Sequence, residues 1–190
     1  MNWCKNIKMG IVGIIILAGS LFATTIRFSD ITGKPGLTLL SQSVSGVEIE
    51  FNMPALNIND YEINGEIMQV LSAPGILLFP NKEGAPNTPG LSRYIAIPKG
   101  ARARVSIIEE KKEIFKDINL APMHNIPLEI DDSPLRYEKD ISIYSKDAYY
   151  PENPVLISEP MKIREVDVVI LNITPFQYNP VKKELIVYKK

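Results

Sequence analysis

The stretch Gly84–Arg104, GAPNTPGLSRYIAIPKGARAR, constrains this chain more than any other. Gly84-Ala85-Pro86-Asn87-Thr88-Pro89-Gly90 is a run of turn formers, and the short apolar segment Tyr94–Ile97 follows it. Pro98-Lys99-Gly100 then turns the chain again. Beyond it Ala101, Ala103, Val105 and Ile107 alternate with Arg102, Arg104 and Ser106, which predicts a second strand. Proline fixes φ and glycine supplies positive φ, so turn, strand, turn, strand is the natural reading. The fifteen prolines spread along the chain oppose helices as well. The expected fold class is all-β, a β-sandwich or jelly-roll-like domain.

Other segments agree with that class. Val47, Ile49 and Phe51 alternate with Glu48 and Glu50 as a half-buried strand. Tyr61, Ile63, Ile67 and Leu71 continue the odd-numbered pattern, with Glu62, Asn64 and Glu66 opposite. Ile76–Phe79 is a short apolar segment after Pro74-Gly75. Glu109–Lys112 reads as a solvated hairpin tip or a turn of helix. Met123–Tyr137 lacks periodicity and is long for a connection, a kind of loop that is usually functional or disordered. Ile141 and Ile143 suggest a short strand, and Tyr149–Pro154 a turn. Glu165–Ile173 is apolar on both faces, as in a central strand. Leu185 and Val187 mark a final strand.

Met1–Ala23 has the pattern of a secretory signal peptide. Lys5 and Lys8 precede the apolar run Met9–Leu21, and Ala23 is the residue before the expected cut. The run is short for a bilayer span, so no stable membrane anchor is expected. Residues 24–45 read as a leader segment that can pair at an edge, and residues 46–190 as the domain. Lys5 and Lys8 leave with the signal, which moves the net charge from −1 to −3. The remaining charges are mixed in sign along the chain. That excludes the concentrated basic face that nucleic-acid binding requires.

Catalysis is poorly supported. Cys4, the one cysteine, is lost with the signal, and His124 is the one histidine. A Cys–His dyad is therefore impossible, and no Gly-x-Ser-x-Gly elbow exists. Glu129, Asp131 and Asp132 lack the spacing of a calcium loop, so no metal site and no cofactor are expected. Asn172-Ile173-Thr174 matches a glycosylation sequon but falls on the strand read as buried. Arg93 is a structural arginine that hydrogen-bonds nearby carbonyls, or else a partner contact. Tyr149 and Tyr150 are packing residues, or else partner contacts, since tyrosine is enriched at interfaces.

Several pieces together resemble the propeptide of gingipain-type cysteine peptidases. They are Gly84-Ala85-Pro86 with Leu91-Ser92-Arg93, Glu110-Lys111-Lys112 running to Leu120-Ala121-Pro122, Pro160–Arg164, and Phe176-Gln177-Tyr178-Asn179-Pro180-Val181, closed by Leu185 and Tyr188. The resemblance implies a non-catalytic β-sandwich that follows a signal peptide. It implies a secreted or periplasmic destination. It also implies a partner, the cognate cysteine peptidase domain, in cis or in trans. Such propeptides assist folding of the peptidase and keep it latent by covering its active-site cleft. In the family a loop after the Ala-Pro pair enters the specificity pocket. Here that loop is Met123–Asp132, with Pro127, Leu128, Glu129 and Ile130 at its tip. The gingipain loop offers a basic residue, and this one has none between Ala121 and Ser133. Three alternatives follow: a peptidase that prefers another side chain, another register, or Arg136 acting after a shift. A chain of this kind is the front of a longer precursor, a truncated reading frame or a stand-alone inhibitor. The reading that competes with all of these is a stand-alone secreted β-sandwich for binding or adhesion. Trp3, the one tryptophan, leaves with the signal, which weakens a sugar-binding platform.

Overall fold

Asn64-Gly65 closes the longest hairpin of the molecule. Its strands are β4 (Ala55–Ile63) and β5 (Glu66–Ser72). Asn64 has φ 52° and Gly65 φ 78°, the doubly positive turn whose twist matches antiparallel strands. The computed structural model describes residues 22–77, 81–126 and 134–190. Preceding the hairpin are β1 (Ala23–Arg27), β2 (Gly36–Ser43) and β3 (Gly46–Asn52). Strand β1 lies against β4 to give the order β1-β4-β5, while β2 and β3 pair with each other.

A second sheet is organised by β10 (Val166–Ile173). Strand β6 (Leu91–Ala96) flanks it on one side, and β8 (Val155–Ile157) and β9 (Met161–Ile163) pair with it as well. Val168, Val169 and Leu171 are buried, as expected of a central strand. The third sheet has the order β11-β12-β7, from β11 (Phe176–Asn179), β12 (Glu184–Tyr188) and β7 (Lys112–Phe115). Leu185 and Val187 of β12 are fully buried.

One hydrophobic core joins the sheets. Leu56 and Leu71 come from the first, Leu91 from the second, and Phe176, Tyr178, Leu185 and Val187 from the third. Antiparallel sheets packed around a shared core give the all-β class expected from the turns and alternations. Residues 24–45 do pair at an edge, through β1. They also place Phe28 and Ile31 in the core. Their aromatic and branched side chains supply apolar area that a loose leader would leave in water.

Four local expectations are corrected. Ala101–Lys111 forms no strand. Its alternation is present, but two of its four apolar residues are alanines, which bury little area, and β6 pairs with β10 instead. The odd-numbered pattern holds at Ile63 and Leu71, which are buried, but fails at Tyr61 and Ile67, which are exposed, and at Met68, which is buried. The two-residue turn at Asn64-Gly65 restarts the phase of side-chain alternation. Residues Glu109–Lys112 are not a tip, because Lys111 pairs with the Lys190 backbone and Lys112 opens β7. Ile141–Tyr144 is one turn of helix, α1, not a strand. Asp140 caps it by accepting from the Ser142 N–H at 2.9 Å. Four residues are too few for periodicity to separate the two structures.

Candidate functional site

The buried strap Ile118–Met123 is the foundation of the site, and nearly every backbone polar group in it is paired. The Tyr178 hydroxyl donates to the Ile118 carbonyl at 2.8 Å, and the Tyr144 hydroxyl to the Leu120 carbonyl at 3.0 Å. Gln69 of β5 donates its N–H to Asn119 and accepts from the Ala121 N–H. Its side-chain oxygen also accepts from the Asn119 N–H at 2.6 Å. On the other side, Asn87 donates to the Ala121 carbonyl at 2.9 Å, and Met123 donates to Ala85 at 2.7 Å. Gly84 returns a bond to the Met123 carbonyl at 2.9 Å. Unpaired backbone groups are costly when buried, so this network fixes the strap. Two pieces of the family resemblance, Gly84-Ala85-Pro86 and Leu120-Ala121-Pro122, thus lie side by side, bridged at Pro86 and Pro122.

The chain leaves this strap through His124–Ile126 and is described again from Pro134. His124 packs edge-on against Tyr137, with ring centroids 5.5 Å apart. Asn125 is buried and ties the two arms together: its side-chain oxygen accepts from the Arg136 N–H at 2.7 Å, and its own N–H donates to the Arg136 carbonyl at 3.1 Å. The returning arm is held as firmly. The Tyr137 carbonyl accepts from Asn64 at 2.9 Å, and Lys139 meets Glu66 at 3.1 Å. Asp140 donates its N–H to the Gly84 carbonyl at 2.8 Å, and its carboxylate pairs with Lys82 at 2.6 Å. That ion pair, with help from Ser142, lowers the Asp140 carboxyl to about 2. Beneath the loop base, Ile63, Met68 and Ala121 form a small satellite core against Val70 and Tyr137.

Gly84 is required where these parts meet. Its φ is +78°, and a Cβ there would lie 2.9 Å from the Glu138 carbonyl oxygen and 3.0 Å from the Asp140 nitrogen. Only glycine admits both that backbone conformation and so close an arm.

The expected site residues are placed as follows. Pro127, Leu128, Glu129 and Ile130 lie outside the described residues. Arg136 is at the base of the loop, its backbone engaged by Asn125 and its side chain exposed. Arg93 is exposed on β6 and donates to the neighbouring Ser92 carbonyl at 2.8 Å. Tyr149 donates its hydroxyl to Glu184 at 2.9 Å, and Tyr150 donates to Asn81 at 2.8 Å. Burial raises both phenols. Ala23 opens β1, opposite Asn59. Among the described residues, no three metal-ligating side chains gather.

Sequence reasoning did not single out Asn125, Gln69, Asn64 or Asp140. Asn64-Gly65 carried a legible signal as a two-residue hairpin turn. Gln69 carried none, because its partners are distant in sequence, and Asn125 carried none, because the span to Arg136 has no periodicity.

The described residues thus form a β-rich domain in which a hydrogen-bond network joins the strap to the returning arm. The chain belongs to the Propeptide_C25 family, which matches residues 28–190. The likeness to gingipain propeptides is therefore borne out. The chain is 28% identical to gingipain R2 of Porphyromonas gingivalis (strain ATCC BAA-308 / W83) over 159 residues, 82% of this chain and 21% of that protein. It is 26% identical to gingipain R1 of Porphyromonas gingivalis over 178 residues, 91% of this chain and 17% of that protein. The chain thus spans about a fifth of the length of these curated relatives. Among solved structures it resembles the complex of Porphyromonas gingivalis RgpB pro- and mature domains, with TM-score 0.73 and 27% identity, covering 82% of this chain and 81% of that one. It also shares the fold of a structure describing zymogenic latency of gingipain K from Porphyromonas gingivalis. There the TM-score is 0.72 at 19% identity, covering 88% of this chain and 94% of that one.

Proposed function

We propose that this domain is the N-terminal propeptide of a secreted gingipain-like cysteine endopeptidase, made behind a signal peptide that ends at Ala23. It keeps the peptidase latent by covering its active-site cleft, and it assists folding of the catalytic domain. The partner is that catalytic domain, in the same precursor or in trans. The observation that carries this reading is the paired base of the loop, Asn125 against Arg136, on the hydrogen-bonded strap Ile118–Met123. A loop whose ends are fixed before docking loses less ordering entropy when it binds.

Leu128 or Glu129 is proposed nearest the specificity pocket, flanked by Pro127 and Ile130. Arg136 is the weaker candidate, since moving it to the tip would break both of its bonds to Asn125. Tyr149 and Tyr150 support the fold from within, and their hydroxyls are already donated. The test is inhibition of a mature gingipain R peptidase by the purified domain and by its Leu128→Ala and Glu129→Ala variants. At least one variant should weaken inhibition about tenfold, equivalent to about 1.4 kcal/mol. Circular dichroism should be unchanged, because loop substitutions leave the core intact. Inhibition constants unaltered across the whole loop, with the fold retained, would refute the assignment.

A further inference from the structure

Strand β6 forms one edge of its sheet, and its backbone phase is fixed by its neighbour. Ile97 donates to the Asp167 carbonyl at 2.9 Å. In an antiparallel ladder this makes Leu91, Arg93 and Ile95 the residues bonded to β10. Ile170 exchanges its bonds with Ser158 on the far side, consistent with the same phase. The N–H and C=O groups of Ser92, Tyr94 and Ala96 therefore point outward. Arg93 covers the Ser92 carbonyl. Among the described residues nothing pairs the backbone of Tyr94 or Ala96.

The side chains of these same residues share one face with their ladder partners. That face carries Tyr94 beside Ile170, then Ala96, Val168 and Met161 in a row, then Ile163 beside Val166. None of these residues is charged, in a chain that is 23% charged overall. Tyr94 is 65% exposed and Val166 48% exposed, around Val168, which is buried at the centre of the row. An open edge joined to an exposed apolar face is what monomeric proteins usually protect with lysine, proline or a bulge. None of those devices occurs within Leu91–Ala96.

We infer that the β6 edge and this face are a second docking surface, which receives an extended segment of the peptidase catalytic domain by strand addition. The inference rests on the latency reading above and adds where else the peptidase is held. Position argues for that occupant. Asn87 is bonded to the loop strap at Ala121, and Tyr94 lies seven residues further on. The open edge at Tyr94 is thus at most about 25 Å from the strap, at about 3.5 Å per residue. A footprint of about 800 Å² on each partner is about 30 Å across. One partner seated on the loop therefore reaches the edge. Outward backbone groups would supply the pairing, and the uncharged face the apolar contact.

The test uses the full domain and the mature peptidase domain of gingipain R2 with its catalytic cysteine replaced. Residue-resolved amide exchange should show Tyr94 and Ala96 exchanging quickly in the free domain and slowing at least about tenfold in the complex. Arg93 and Ile95 should be protected in both. Tyr94→Pro removes an outward donor and the exposed ring but no bond to β10, at a position where edge strands tolerate proline. Tyr94→Pro and Ala96→Lys should each raise Kd at least about tenfold, whereas Val47→Lys on β3 should not. Binding that depends on Leu128 or Glu129 while Tyr94 and Ala96 remain unprotected would overturn this inference and leave the latency reading standing. No binding by the wild-type domain would overturn both. Concentration-dependent protection of the two amides without peptidase would assign the edge to a second copy of the chain and overturn the inference.

Discussion

Lys82 and Asp140 hold the returning arm of the loop at 2.6 Å, and the pair sets a pH window. The Asp140 carboxyl is lowered from 3.8 to about 2, first by Lys82 and then by Ser142. A depressed carboxyl stabilises the folded arm above its ordinary value and loses that effect as pH falls through the folded one. The clamp should therefore persist at pH 4 and release only near pH 2. Carboxyl carbon NMR should give a midpoint near 2 for Asp140, moving toward 3.8 in Lys82→Ala. A wild-type midpoint at the ordinary value would contradict the clamp. Gly84 and Gly65 offer a second residue-level comparison, since both have φ +78°. A Cβ at Gly65 meets open space, whereas one at Gly84 meets the Glu138 carbonyl at 2.9 Å. Gly65→Ala should cost about 1 kcal/mol through the backbone alone. Gly84→Ala should cost about 1–3 kcal/mol more, through the added clash and strain. Urea unfolding of the two variants measures the difference, and equal costs would show that the arm gives way freely.

At the scale of elements, sequence and structure agree where a strand is long and apolar on a known face. Strand β10 was legible because Val166–Ile173 is apolar on both sides, and β12 because Leu185 and Val187 alternate at its centre. Strand β7 was hidden by the charges Glu109–Lys112, which pair with Lys190 and with each other at the rim of the sheet. Ala101–Lys111 shows the reverse, an alternation without a partner strand. Pairing is a long-range property that local pattern does not contain. The site divides in the same way. The two Ala-Pro pieces were readable, but their bridge across Pro86 and Pro122 links residues far apart in sequence. The Asn125–Arg136 pair was invisible because the span of eleven positions between them carries no periodicity. The resemblance located the loop, and only the fold revealed how its base is built.

Over the whole molecule, stability comes from packing and ladders, since Cys4 is the chain's one cysteine and a disulfide needs two. Phe176 is fully buried where the sheets meet. Phe176→Ala should cost about 3–5 kcal/mol, a large part of the about 5–15 kcal/mol typical of a domain. Thermal unfolding should show a correspondingly large drop in Tm, and an unchanged Tm would mean that the core is organised elsewhere. The central claim, however, is functional: the domain covers the active-site cleft of a gingipain-type cysteine peptidase through the loop that Asn125 and Arg136 close. Alkylation of the peptidase's active-site thiol, with and without saturating domain, tests this most directly. The account predicts that the bound domain slows alkylation at least about tenfold, a shielding of about 1.4 kcal/mol or more. A complex whose thiol is alkylated at the free rate would contradict it.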